Sequence, residues 1–291
     1  MSIEKFQKYY EKNKNHINVV DEYDHTMLMT ACTCCRADIV EILLQNENID
    51  VNQGGTYSSA LSIALSHLQI LKLLLQHPKI NPNLMLPEGK SCFQIACSRQ
   101  YFGSVELLLE DPRVDPNLLS ANGRTAFFEA CSIGKKEVIE KFLKYDKIDC
   151  HLPESRTNAT PFYIVCEKGH LGIVSLLLLD PKVNVNHQNK FSSTPLYVAC
   201  QNGKSRVVGL LLKDSRVDIN LARENGMTPF GISCYYGFEE IVKLFLSSGR
   251  DIEMKVSPDG KTAFDIATER NHKGIMKLLK PNGFLGISLF S

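Results

Sequence analysis

The stretch "ACTCCRAD", from Ala31 to Asp38, gathers Cys32, Cys34 and Cys35, with His25 a short way upstream. Thiolates and an imidazole at this density are the ligands of a structural zinc site, which ordinarily draws paired ligands from two spaced segments. No second pair follows in the sequence. Six of the ten cysteines instead recur at one kind of position: Cys32, Cys97, Cys131, Cys166, Cys200 and Cys234. A small, weakly polar side chain at a helix contact behaves as a hydrophobe, so these six read as core residues. The other four are Cys34, Cys35, Cys92 and Cys150. The eight histidines are scattered, and a nucleophilic thiol needs one of them beside it together with an orienting group. No glycine-rich phosphate loop is present, and the sequon "NAT" at Asn158 overlaps a helix cap. The reading predicts no catalytic residue, no metal site and no cofactor.

The elements that position these residues repeat. Thr26, Ser59, Ser91, Thr125, Thr160, Thr194, Thr228 and Thr262 each precede an apolar run, at spacings of 33, 32, 34, 35, 34, 34 and 34. Thr and Ser cap helix N-termini by accepting an orphan backbone N–H, and proline is tolerated at the first helical position, as in "TPLYVACQNG". A glycine such as Gly203 ends the first helix, and Val207, Val208, Leu210, Leu211 and Leu212 crowd one face of a second. Helices this short are marginal alone. Eight copies at a near-constant period therefore predict a stacked array in which each unit buries its apolar face against its neighbours. Cysteines one repeat apart then lie about 10 Å from each other, beyond disulfide reach.

A period near 33, a turn followed by two helices, and the matches "TPLYVACQNG" and "TPFYIVCEKGH" resemble the ankyrin-repeat family and its T-P-L-H-x-A signature. The resemblance extends over nearly all of the 291 residues and implies an all-α solenoid of stacked helix-turn-helix units with β-hairpin loops. Two departures stand out. The signature histidine is replaced by Met29, Ser62, Gln94, Phe128, Tyr163, Tyr197, Gly231 and Asp265, which removes the imidazole that bonds between repeats in this family. Strings such as "DPRVDPN" and "DSRVDIN" carry one residue more than usual between units. The expected division is a capping half-repeat over 1–20, repeats over 21–53, 54–85, 86–119, 120–154, 155–188, 189–222, 223–256 and 257–281, and an apolar tail over 282–291. Ile3 to Asn13 reads as a lone second helix with Phe6, Tyr9 and Tyr10 inward. Repeat two lacks two residues of the turn between its helices and is expected to be the least regular layer. The tail, with Phe284, Leu285, Ile287, Leu289 and Phe290, is expected to dock on repeat eight, the alternative being a partner-binding segment.

Composition narrows the function. Thirty-three basic residues against 32 acidic ones, with no block of one sign, argue against nucleic acid or an anionic membrane as partner. Apolar runs such as "IVSLLLL" are too short to span a bilayer, and "MSIEKFQKYY" has no signal-peptide core. A cytoplasmic monomer is expected, with the nucleus as the alternative. The resemblance implies a non-enzymatic scaffold that binds another protein on a concave face, through hairpin tips and first-helix ends. Mapped onto this chain, the partner-binding candidates are Tyr23, Arg99, Arg124, Ile133, Lys168, Phe191, Asn202, Met227, Tyr235, Tyr236 and Phe238. Tyr235, Tyr236 and Phe238, with Phe191 one layer away, form the expected hot spot, since tyrosines bury large area while keeping a polar tip. Two other roles fit the same sequence: a subunit that regulates or inhibits an enzyme, or a structural protein that self-assembles through the tail.

Overall fold

In each repeat a Thr or Ser hydroxyl opens the first helix. Met29, Tyr163, Tyr197 and Gly231 donate their backbone N–H groups to Thr26, Thr160, Thr194 and Thr228 at 3.2, 3.1, 3.0 and 3.1 Å. The computed structural model describes residues 2–257 and 259–280. Among them lie seventeen α-helices: α1 (Ile3–Asn13), α2 (Met27–Thr33), α3 (Ala37–Leu44), α4 (Ala60–Ile63), α5 (Leu68–Gln76), α6 (Cys92–Arg99), α7 (Phe102–Glu110), α8 (Ala126–Ile133), α9 (Lys136–Phe142), α10 (Pro161–Lys168), α11 (Leu171–Leu177), α12 (Pro195–Gln201), α13 (Ser205–Leu211), α14 (Pro229–Tyr236), α15 (Glu239–Leu246), α16 (Ala263–Glu269) and α17 (Lys273–Leu279). This is an all-α repeat fold. The connecting loops turn as hairpins but pair only through isolated bridges, such as Met85 with Ser91 and Lys255 with Thr262. None of the described helices is long and apolar enough to cross a membrane. The expected tail, 282–291, lies outside the described residues.

The hairpins turn two residues before seven of the eight capping residues. Gly89, Gly123, Gly226 and Gly260 have φ between 70° and 75°, and Asp24, Asn158 and Ser192 take the same left-handed conformation at 61°, 62° and 55°. Short polar side chains are the residues that tolerate this region best after glycine.

The chain forms two compact units. The first comprises Met1–Ala130 with Glu140–Asp149, the second Cys131–Ile139 with the residues from Cys150 on. In the first unit, α2, α4 and α6 make a layer of first helices, and α1, α3, α5 and α7 a layer of second helices. Its core includes Leu28, Met29, Leu43 and Leu74, and ends on Phe93, Phe127 and Phe142, whose rings lie 5.8 and 6.0 Å apart about Phe142. In α1, Phe6 is buried and Tyr10 half-buried, but Tyr9 is 51% exposed, contrary to the expectation that all three point inward. Residues four apart share a helix face; Tyr9 falls on the flank, over a cavity of about 540 Å³ that Val19, Val20 and Met27 also line.

Repeat two absorbs its missing residues in the first helix. The α-helix stops at Ile63 and continues as a 3₁₀ turn over Ala64–Ser66, so that α5 starts at Leu68. The buried Ser104 hydroxyl, from α7, donates to the Leu65 carbonyl at 2.5 Å.

In the second unit, α10, α12, α14 and α16 form the first-helix layer and α11, α13, α15 and α17 the second. Val165, Val174, Leu177, Val208, Leu211, Phe230, Val242 and Phe245 are fully or almost fully buried between them.

A further tie runs through the loops. Asn52 receives the Asn81 N–H on its Oδ1 at 2.7 Å and donates Nδ2 to the Lys79 carbonyl at 2.7 Å. Asn18, Asn83 and Asn117 in the first unit, and Asn186 and Asn220 in the second, bridge to the following loop in the same way. One amide side chain thus satisfies a donor and an acceptor of a loop that has no ladder of its own.

Candidate partner-binding face

The first-helix layer of the second unit carries aromatic side chains where the family signature has histidine. Tyr163 and Tyr197 occupy that position on α10 and α12, both buried. Burial lifts both phenols above the usual tyrosine range, so they remain neutral donors. The Tyr163 hydroxyl donates to Ser193 Oγ, in the next hairpin, at 3.3 Å. In the first unit Gln94 has this role, donating Nε2 to the Leu118 and Arg124 carbonyls at 2.8 and 3.1 Å. Bonding between repeats therefore survives the loss of the signature imidazole. Histidines also tie layers from a different place, just before the second helix. His170 and His272 donate Nε2 to the Ser132 and Tyr235 carbonyls at 3.3 and 3.0 Å.

On α14 the signature position is Gly231. A Cβ there would lie 2.9 Å from Met227 Sδ and 2.7 Å from Val256 Cβ, so Met227 fills the space that a larger side chain would take. At the far end of the same helix the rings of Tyr235 and Tyr236 meet edge to face at 5.2 Å, and Tyr236 lies 5.9 Å from Phe238. Phe238 packs over Gly203, where a Cβ would come within 3.0 Å of its ring. Tyr236 is 46% exposed, and Tyr235 and Phe238 are half-buried. Arg270 joins the cluster, 3.7 Å from the Tyr235 ring centroid, and in the preceding hairpin Phe191, itself 45% exposed, has Arg223 5.6 Å from its ring centroid. The charge of Arg223 also works against the burial-driven rise of the Tyr197 phenol. The result is a run of rings with interleaved cations, the kind of surface that forms interface anchors.

Tyr23, Arg99 and Arg124 belong to the first unit; Tyr23 is 74% exposed, and Arg124 lies over the Phe128 ring at 5.1 Å and pairs with Glu129 at 3.3 Å. In the second unit Ile133 is exposed, Lys168 lies 4.0 Å from Glu167, and Asn202 turns its Nδ2 back to the Val198 carbonyl at 2.9 Å. Arg223 and Arg270 are absent from the sequence-based candidates, and Tyr197 enters there only as a replacement for the signature histidine. Arg223 and Arg270 look like ordinary charges in a hairpin and at a helix end, and only the fold lays them over rings.

Burial pushes the Cys32, Cys92, Cys200 and Cys234 thiols up to about 12, which leaves them unreactive at neutral pH. Of the "ACTCC" group, Cys32 is buried in α2, Cys34 is exposed, and Cys35 sits in a left-handed turn beside His67. The Cys35 sulfur is 3.2 and 3.5 Å from the two nitrogens of that ring. Its approach between them is not that of two ligands sharing an ion. A mixed group in the second unit, Cys150, His151 and Asp180, brings three potential ligand atoms within 4.8 Å of one another.

The profile described as "Ankyrin repeats (3 copies)" matches the chain over residues 3–86, 93–189, 146–223, 177–255 and 196–287. No curated protein matches the chain. The capped helix pairs, the left-handed hairpin turns and this succession of overlapping matches agree: the chain belongs to the ankyrin-repeat family.

Proposed function

We propose that this chain is a non-enzymatic protein-binding scaffold of a reducing compartment, and that its second unit holds a partner protein on the first-helix face around Tyr235, Tyr236, Phe238 and Phe191. Ankyrin repeats generally mediate protein–protein interaction, which sets the class of function. The observation that supports the place is the half-exposed ring cluster with its stacked arginines. The rings are already held against one another and against guanidinium groups, so little side-chain freedom is left to lose on binding. Interface anchors are enriched in Tyr and Arg, and truncating one can cost about 2 kcal/mol or more.

The test is capture of partners by the full chain and by a Tyr235→Ala/Tyr236→Ala variant, read by mass spectrometry and confirmed by crosslinking from position 236. A protein captured and crosslinked by the parent should be lost by the variant, while the variant's melting temperature stays within a few degrees. Equal capture by both chains would remove this face from the interaction.

A further inference from the structure

Six loops use an asparagine to tie themselves to the next, at Asn18, Asn52, Asn83, Asn117, Asn186 and Asn220. Between Asn117 and Asn186 the equivalent residue, 34 beyond the one and 35 before the other, is His151. The residue before it is Cys150. Facing it across the following loop is Asp180, and that position differs too. Asp111 and Asp214, its counterparts two repeats before and one repeat after, each accept from the backbone N–H two residues on, at 2.9 and 3.0 Å. Each also pairs with the guanidinium of that same residue, Arg113 or Arg216, at 2.7 Å. Asp180 keeps the backbone bond, from Lys182 N–H to Oδ1 at 2.8 Å, but has a lysine where the others have arginine. Its Oδ2 lies 3.4 Å from His151 Nε2. Cys150 Sγ lies 3.5 Å from the same nitrogen.

This convergence decides between two chemistries. A thiol, imidazole and carboxylate acting as a nucleophilic triad need the thiol on one ring nitrogen and the carboxylate on the other, so that a proton can be taken on one side while the ring is steadied on the other. Here both approach Nε2, which offers one proton or one lone pair. A cation among the three satisfies all of them. With Zn–S near 2.3 Å and Zn–N or Zn–O about 2.0–2.2 Å, the edges of a zinc tetrahedron come to about 3.3–3.6 Å. Two of the three separations, 3.5 and 3.4 Å, are such edges, and the third, from Cys150 to Asp180, lies within 4.8 Å, which a bound ion would draw in. The carboxylate is already oriented by the Lys182 amide, the outer-shell support that metal ligands ordinarily carry. A cavity of about 140 Å³ opens beside Cys150 and His151, lined also by Thr160, Phe162, Asn184 and His187, with room for water to complete the coordination.

We infer that Cys150, His151 and Asp180 form a binding site for a zinc-like divalent cation, inserted where the neighbouring repeats carry a purely structural asparagine. Sulfur, imidazole and carboxylate together favour zinc over magnesium or calcium, which take oxygen ligands. Binding removes the proton of the Cys150 thiol and releases it to solvent.

The full chain, stripped of metal and kept reduced, is titrated with Co²⁺ and the absorption followed. One equivalent should give the visible bands of a tetrahedral site with the near-ultraviolet thiolate-to-cobalt band, and Zn²⁺ should displace it. Cys150→Ser should abolish the thiolate band. His151→Asn installs the asparagine of the neighbouring loops, so it should fold at least as stably without metal while binding Co²⁺ at least tenfold more weakly. A Cys34→Ser/Cys35→Ser double variant should leave the spectrum unchanged. A parent chain that takes up no Co²⁺, a spectrum indifferent to Cys150→Ser and His151→Asn, or one that disappears with Cys34 and Cys35 would each overturn the assignment.

Discussion

The two units reach the same architecture with different local chemistry. In the second, α10, α12 and α14 open on Thr-Pro, and the turn after the first helix is made by Gly134, Gly169, Gly203 or Gly237 at φ between 66° and 84°, or by Asn271 at 58°. In the first, the helices open on Thr26-Met27, Ser59-Ala60, Ser91-Cys92 and Thr125-Ala126. There the left-handed turn is carried by Cys35 at 54° and Gln100 at 61°, and repeat two lacks such a turn. Every non-glycine residue held in that region stores strain, which packing elsewhere must offset. At the turn between its helices the second unit uses glycine or asparagine, whereas the first holds Cys35 and Gln100 there; the hairpins of both units hold non-glycine residues in the same region, Asp24 in the first and Asn158 and Ser192 in the second. Family likeness at the level of helices therefore does not imply equal local stability.

Removing core volume gives the largest expected effect and tests whether the two cores are equally tight. Phe142→Ala empties the aromatic stack with Phe93 and Phe127 in the first unit, and Phe245→Ala takes the partner of Phe230 in the second. All five flanking and target rings are at most 2% exposed. Each substitution should cost about 3–5 kcal/mol in denaturant unfolding. Hydrogen exchange should show the loss centred on the substituted layers, because repeats couple chiefly to their nearest neighbours. Equal acceleration of every amide in the chain would mean that the units do not differ in any local sense.

A smaller effect probes the irregular repeat. The Leu65 carbonyl, at the end of a first helix cut short, is met by the buried Ser104 hydroxyl. Ser104→Ala removes that donor and should cost about 1–3 kcal/mol, the penalty for an orphaned buried acceptor. Exchange should quicken at 60–76 before other segments of the first unit. A change within a few tenths of a kcal/mol would show that the 3₁₀ turn is stable without its brace.

How far the sequence announced all this depends on the kind of signal. Caps and hairpin turns are local signals: the caps recur eight times and the hairpin glycine four times, with Asp24, Asn158 and Ser192 in its place elsewhere, and α1 runs from Ile3 to Asn13 as the sequence predicts. The loop strings were noticed only for their length, although Asn117 and Asn220 in "DPRVDPN" and "DSRVDIN" are the residues that tie loop to loop. Their role depends on a partner about 30 residues away, and periodicity does not reveal side-chain reach. Tyr9 lies on the flank of α1, over the cavity that Val19, Val20 and Met27 line, a placement that helical periodicity alone does not fix. Cys150 and His151 looked unremarkable for a similar reason. They are adjacent to each other, but Asp180 joins them only through the stacking of one loop on the next. The dense "ACTCC" cluster is the stronger signal in the sequence, yet its first thiol is core.

The finest test of the contrast exchanges the two turns. Gln100 is exposed and held at φ 61°, a conformation that costs an L-residue about 1–2 kcal/mol relative to glycine. Gln100→Gly removes that strain but gives the unfolded chain more freedom, worth about 0.4–1 kcal/mol in the opposite sense. The balance is a gain of about 0.5–1 kcal/mol. Gln100→Ala, which keeps the strain and loses the same side chain, should show no gain, and this separates backbone relief from any side-chain effect. The reverse change, Gly203→Ala, places a Cβ at φ 66° and within 3.0 Å of the Phe238 ring. It should lose more than Gln100→Gly gains, since strain and contact both oppose it. The readout is the urea midpoint at unchanged slope, because a shifted slope would report a different denatured state rather than a relaxed turn. If Gln100→Gly and Gln100→Ala move the midpoint equally, the first unit is not strained at its turns, and the difference between the units must lie in packing alone.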